Sequence, residues 1–154
     1  MALKEQVSNV YGVGLRNVGS YQVSGTPWVT GSALSQNKTI RFRFPTVPKS
    51  FTIINTGGNP FVVHFNSGSL TFTADGDGNA QAGPTATSQP WHTNKHFITL
   101  GNGDTLTLNA KVRDVFLSEP TNTGACTFEM FAELTNIPGG RMYVLSGSGI
   151  SDGT

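Results

Sequence analysis

The chain has 154 residues, a formal net charge of +1, and only 12% charged residues. This length suits one domain with a core large enough to need no metal or disulfide. A near-neutral chain argues against a nucleic-acid-binding protein, which normally presents a basic face. Low charge also weakens self-repulsion, so the composition is compatible with dense assembly with copies of itself or on a lattice.

Residues 1–25 are predicted to form an N-terminal arm that differs from the rest of the chain. Its apolar residues first follow helical spacing and then alternate with glycine: Leu3, Val7, Val10, Tyr11 and Leu15. The helical part spans only a turn or two, and the glycine-rich part needs a surface to lie on. Two interpretations remain open. The segment is either the first strand of the sheet or an arm that docks on a neighbouring subunit.

The middle of the chain is rich in strand signals. TPWVTG (26–31) predicts a short strand, and in TIRFRF (39–44) the apolar residues alternate with Arg41 and Arg43, which therefore share one solvent-facing side. Pro45 and Pro48 are expected to break the ladder, because proline lacks a backbone donor. SFTIIN and PFVVHFN then read as two strands joined by a turn at 56–59.

The second half continues in the same manner after an irregular loop at 75–90. HFITL and TLTLNAKV flank Gly101-Asn102-Gly103-Asp104, a hairpin signal. RDVFLSE and CTFEMFAEL follow, and the second alternates Phe128 and Met130 on one face with Phe131 and Glu133 on the other. A further turn is expected at 137–140, after which RMYVLSG closes the domain.

These nine or ten short strands predict an all-β, single-domain antiparallel β-sandwich, jelly-roll-like, with an extended N-terminal arm. The sandwich is assigned to residues 26–147, and residues 148–154 are expected to be a flexible tail. Cys126, the one cysteine, is expected to be a small buried hydrophobe.

The motifs that carry chemistry are incomplete. Asp75-Gly76-Asp77-Gly78-Asn79 begins like a calcium loop but lacks its later glycine and glutamate, which favours a turn. His92 and His96 have the spacing of zinc ligands on a helix, but Pro90 and the strand after them argue against a helix. No nucleophile elbow is present. We therefore predict no catalytic residues, no metal site, no cofactor and no enzymatic activity.

Three aromatic residues, Trp28, Trp91 and Tyr143, fit either a sugar-binding platform or core packing, and core packing is favoured. The first residues, MALKEQVSN, lack a basic segment followed by an apolar run, and no stretch is long and apolar enough to span a membrane. We expect a chain made in the cytoplasm with no membrane partner.

Several stretches carry a resemblance: NVGSYQVSGTPWVTGS (17–32), IRFRFPTVPKSFTIIN, VVHFNS, HFITL and AELTNIPGGRMYVLSGSG (132–149). Together they resemble small virion structural proteins of marine tailed bacteriophages, especially those that infect cyanobacteria. The resemblance implies a β-rich, non-enzymatic component that decorates the capsid or is attached to the tail.

On this basis the expected function is capsid decoration, with the major capsid protein lattice as partner and homo-trimers or dimers matched to local symmetry axes. The candidate interface comprises the arm residues named above together with Trp28, Arg41 and Arg43. One alternative is a tail- or fibre-associated component with glycan-binding ability. Another is a free carbohydrate-binding module, and a hydrolase is the weakest because the acidic residues are scattered.

Overall fold

A computed structural model describes residues 13–22, 24–68, 70, 72–74, 80–82, 89–120 and 123–143. In these residues, two single-turn helices, α1 (Gly19–Gln22) and α2 (Pro90–Thr93), and a 3-10 turn at Gly139–Arg141 accompany ten strands. The strands are β1 (Thr26–Leu34), β2 (Thr39–Arg43), β3 (Thr46–Asn55), β4 (Phe61–His64), β5 (Thr73–Ala74), β6 (Ala80–Ala82), β7 (Ile98–Leu100), β8 (Thr105–Leu108), β9 (Asp114–Ser118) and β10 (Cys126–Pro138).

The strands form two antiparallel sheets that pack face to face. One sheet has four strands in the order β1-β10-β3-β8, and the other has six in the order β5-β6-β2-β9-β4-β7. The eight principal strands thus divide into β1-β10-β3-β8 and β2-β9-β4-β7, the double Greek-key order of a jelly roll. The small β5–β6 pair extends the second sheet beside β2. The predicted antiparallel sandwich is confirmed.

The core lies between the sheets and is built from alternating strand residues. Phe42 of β2 and Phe128 of β10 meet edge to face with ring centroids 5.3 Å apart, and Phe61 of β4 reaches Phe128 at 6.1 Å. In β10, the expected alternation is confirmed, because Phe128 and Met130 are buried while Phe131 is 43% exposed. Cys126 is buried as expected, and burial raises the pKa of its thiol to about 11.

The predicted hairpin at 101–104 is wrong, although its turn forms. The Gly101 amide donates to Asp104 Oδ2 at 2.7 Å, and Gly103 has a φ of 79°. However, β7 pairs with β4 and β8 pairs with β3, so the turn carries the chain from one sheet to the other. Backbone hydrogen bonds from Gly103 to Asn55 and from Asn55 to Asp104 hold this turn against the end of β3.

Two further predictions about proline are corrected. Pro48 does not end a strand but lies buried within β3, where Ser50 pairs with Glu133 and Pro48 with Leu134. The ladder skips one residue there, and such a bulge accommodates a residue without an N–H. Pro90 begins the helical turn α2, because proline suits the first helical position.

The ends of several elements also differ from expectation. β10 continues to Pro138 instead of turning at Ile137, because Ile137 is buried. A 3-10 turn follows at Gly139–Arg141, and residues 144–147 of the predicted closing strand lie outside the described residues. Within the expected irregular loop, Ala80–Ala82 pairs with β2, and the proposed calcium-loop residues 75–79 lie outside the described residues.

Two phenylalanines on opposite faces of β10 give a direct test of this core. Phe128→Ala is expected to lower the free energy of unfolding by about 3–5 kcal/mol, because it leaves a cavity among Phe42 and Phe61. Phe131→Ala, on the outer face, should cost about 1 kcal/mol or less. Urea denaturation of both variants measures the difference, and equal losses would contradict the assigned faces.

Candidate interaction surface

None of the described residues covers the outer face of the four-stranded sheet, which carries large apolar side chains at its centre. Val29 of β1 is 72% exposed and lies directly opposite Phe131 of β10, which is 43% exposed. A groove of about 400 Å³ runs over this face. Its lining residues are Val29, Thr30, Gly31, Ile54, Glu129, Met130 and Phe131. We call this surface the β1–β10 face.

Polar groups surround the apolar centre of the β1–β10 face. Thr52 and Thr107 share a hydrogen bond between their hydroxyls at 2.9 Å, and Ser50 donates to Glu133 at 3.2 Å. Glu129 is exposed on the same face of β10. Apolar side chains within a threonine-rich surround form a patch suited to contact with another macromolecule.

The outer face of the six-stranded sheet is, by contrast, covered. Trp91 of α2 is fully buried and stacks on His64 of β4, with ring centroids 3.7 Å apart. Phe72 lies over Phe116 at 5.5 Å and beneath the guanidinium of Arg41 at 5.0 Å. The two outer faces therefore differ: within the part of the chain that the structure describes, the β1–β10 face is the one that leaves large apolar side chains open at its centre.

The strand β1 is also an edge of its sheet, since its one ladder partner among the described strands is β10. It runs for nine residues, TPWVTGSAL, without a charged side chain, and most of them are exposed. Edge strands are normally protected by charges, prolines, bulges or short length. Here Pro27 near the start is the one such device within the strand.

The predicted arm residues are only partly described. Leu3, Val7, Val10 and Tyr11 lie outside the described residues. Leu15 is 7% exposed and packs with Val47 and Ile137 in a small second core. This corrects the expectation that Leu15 stands free for a neighbour.

The segment around Leu15 is fastened to the end of the sandwich. Lys111 Nζ donates to the Leu15 carbonyl at 2.8 Å and lies 4.9 Å from the ring centroid of Tyr21. Arg141 donates to the Val13 carbonyl at 2.9 Å. Residues 13–22 therefore belong with the domain and not with a detached arm, and they form neither of the two alternatives left open by the sequence.

The other candidate interface residues are used largely within the chain. Trp28 faces inward from β1 and contacts Phe44 edge to face at 5.1 Å. Arg43 makes a two-point ion pair with Asp114, with Nε–Oδ1 at 2.8 Å and Nη2–Oδ2 at 3.1 Å. This partner raises the pKa of Arg43. Arg41 and Arg43 share the outer face of the sheet as predicted, but both are partly buried there.

The aromatic residues considered for sugar binding do not form one platform. Trp91 is buried on one side of the six-stranded sheet, and Trp28 packs between the sheets. Tyr143 is 54% exposed near the end of the described chain, beside Arg16. The structure thus confirms core packing for Trp91 and separates the three rings.

A buried polar chain on the covered sheet was missed by sequence reasoning. His64 Nδ1–H donates to the Asn66 carbonyl at 2.8 Å, so Nε2 accepts from the Ser118 hydroxyl at 2.7 Å. Ser118 and Thr39 share a further hydrogen bond at 2.7 Å. His64 and Ser118 are fully buried, so this histidine–serine pair is closed to solvent and we assign it a structural role.

Burial lowers the pKa of His64 to about 3, since no counter-charge offsets the lost hydration. The neutral imidazole satisfies this chain of hydrogen bonds, with Nδ1 as the donor and Nε2 as the acceptor. Among the described residues, no group of three or more His, Cys, Asp or Glu is placed to hold a metal ion. The same residues contain no helix long and apolar enough to cross a membrane.

Comparison with known proteins gives no family. No protein-family model matches the chain, and no curated protein matches it. A crystal structure of PirA aligns with 78% of this chain and 100% of its own, at 11% identity and a TM-score of 0.31. A TM-score this low supports no inference about function.

The pKa of His64 predicts acid sensitivity. Between about pH 6.5 and 3, His64 is protonated in the unfolded chain but remains neutral in the folded chain. The free energy of unfolding should therefore fall as pH is lowered through this window. The loss from this group is at most roughly 4–5 kcal/mol. His64→Gln should reduce this slope, because it removes the group that gives rise to it. Urea titrations at several pH values measure how the free energy of unfolding depends on pH, and an unchanged slope in His64→Gln would refute the assignment of the acid sensitivity to His64.

Proposed function

We propose that this chain is a non-enzymatic virion structural protein that decorates a capsid and binds the major capsid protein lattice. The observation that carries the proposal is the difference between the two outer faces of the sandwich. Trp91 and Phe72 cover the outer face of the six-stranded sheet, whereas the outer face of the four-stranded sheet presents Val29, Ile54 and Phe131. An open sheet face with apolar side chains at its centre is suited to lie on a broad protein surface.

Three features support this role. The sequence stretches quoted above resemble virion structural proteins of marine tailed phages. The jelly roll is an architecture used by viral capsid domains, although the fold alone does not assign a function. The low content of charged residues permits close packing of many copies, and contacts to a repeated lattice act together even when each is weak.

Residues before 13 are proposed to add contacts to the same lattice through Leu3, Val7, Val10 and Tyr11. Leu15 is not included, because it packs on its own domain. The alternative is a tail- or fibre-associated component of the same fold. It uses the same exposed face, and copy number separates it from capsid decoration.

The first test measures copies of this chain per purified particle against the major capsid protein, on whole virions and on tail-free heads. Capsid decoration predicts a copy number that scales with the capsid protein and remains with the heads. A small number that leaves with the tails would make the chain a tail component. Absence from both fractions would refute the virion assignment.

The second test asks whether the β1–β10 face makes the contact. Phe131→Glu is expected to weaken rebinding to heads stripped of this chain by about tenfold or more, because it places a charge in the apolar centre. Val18→Glu is a matched control, since Val18 is 66% exposed and lies outside both sheets. Equal binding of the two variants would show that another surface faces the lattice.

A further inference from the structure

We propose that two copies of this chain pair through the open edges of their β1 strands, antiparallel and around a two-fold axis that passes beside Val29. The occupant of the β1 edge is thus a second copy of the chain. This inference concerns the isolated protein and does not depend on the virion assignment. The two proposals can therefore fail separately.

The open edge supplies the first reason. In an antiparallel strand, alternate residues direct both N–H and C=O to the same side. On the side away from β10, β1 therefore presents backbone groups that pair with no other described strand. Such an edge accepts an added strand by main-chain hydrogen bonds. The other sheet edges, β8, β5 and β7, are at most four residues long. The nine residues of β1 make it the longest edge of the described sheets.

The absence of charge on β1 identifies the partner as a second copy. In a two-fold pair, the strand lies beside an identical copy of itself. A charged side chain near the axis would therefore lie close to the same charge on the other copy. β1 carries no charged residue from Thr26 to Leu34. A strand that recruits a different protein is free to use complementary charges, and β1 uses none.

The acidic residues of the β1–β10 face lie far enough from the seam, the contact between the two β1 strands, to avoid strong repulsion between the copies. Glu129 and Glu133 are on β10, one strand away from the edge. In the paired sheet the two β10 strands are three strand spacings apart, about 14 Å. This exceeds the Debye length of about 8 Å at physiological ionic strength, so repulsion between the two acidic rows is largely screened.

Side-chain shape selects the register around Val29. With Val29 opposite its own copy, Pro27 lies opposite Gly31, whose lack of a side chain leaves room for the proline ring. Trp28 then lies opposite Thr30. Phe131, directly opposite Val29 on β10, extends the contact into a row of four apolar side chains across the seam.

A disulfide test reads this register directly. Cα atoms of directly opposed residues in an antiparallel pair lie about 4.5–5.5 Å apart, within the range of a disulfide. Val29→Cys should therefore form a covalent dimer under mild oxidation, while the native Cys126 stays buried and unreactive. Thr107→Cys, exposed on the opposite edge strand β8, is the matched control and should remain uncrosslinked.

A mass measurement tests the pairing without any new bond. Sedimentation velocity of the full chain should show a dimer whose dissociation constant rises about tenfold or more in Val29→Lys/Ala33→Lys. Each copy then carries two positive charges along the shared edge, and the two at position 29 meet directly. Thr105→Lys/Thr107→Lys places the same charges on β8 and should leave the dimer intact. Thermal unfolding of each variant confirms that it is folded.

Several outcomes would overturn the proposal. A wild-type chain that is monomeric at every concentration would exclude self-pairing. Dimers that persist in the β1 lysine variant, or that are lost equally in the β8 variant, would place the interface elsewhere. Failure of Val29→Cys to cross-link, or equal cross-linking of Thr107→Cys, would exclude the pairing around Val29.

Discussion

The strand β10 imposes the constraint on which the molecule depends, because its two faces serve two purposes. It lies between β1 and β3 and pairs with β1 over nine consecutive residues. Its inward residues, Phe128 and Met130, help to fill the core, and its outward residues, Glu129 and Phe131, form the middle of the exposed face. A one-residue slip in register would exchange these sets, so core and surface are specified together.

The two sheets manage their outer faces differently. On the outer face of the six-stranded sheet, polar groups are satisfied by one another: His64 with Ser118, and Arg43 with Asp114. Rings from outside the sheet then exclude water, Trp91 among them. On the four-stranded sheet, hydroxyl groups interact with solvent and with each other, and no described segment lies over the apolar centre. This asymmetry, more than any single residue, directs our proposals to the β1–β10 face.

Periodicity in the sequence predicted which residues are buried far better than which strands are neighbours. The alternation around Phe42 and Phe128 identified two core-facing strands correctly. The same reasoning joined the strands around Gly101–Asp104 into a hairpin, because a turn motif encodes local geometry and not the sheet to which the next strand belongs.

The burial of His64 could not be read from the sequence either, since it depends on Trp91, which is distant in sequence. The adjacent apolar pair Trp28 and Val29 was a usable signal, because neighbours on a strand face opposite sides.

The pairing of β1 with β10 also affects how the chain is made. Thr26 pairs with Leu134, so β1 leaves the ribosome long before its partner has been translated. The four-stranded sheet therefore closes only after nearly the whole domain has emerged, and such long-range pairing is slow. Until then, the uncharged β1 has two open edges and is available for incorrect pairing with other nascent chains. A cell that makes many copies faces its main aggregation risk during translation, before the fold is complete.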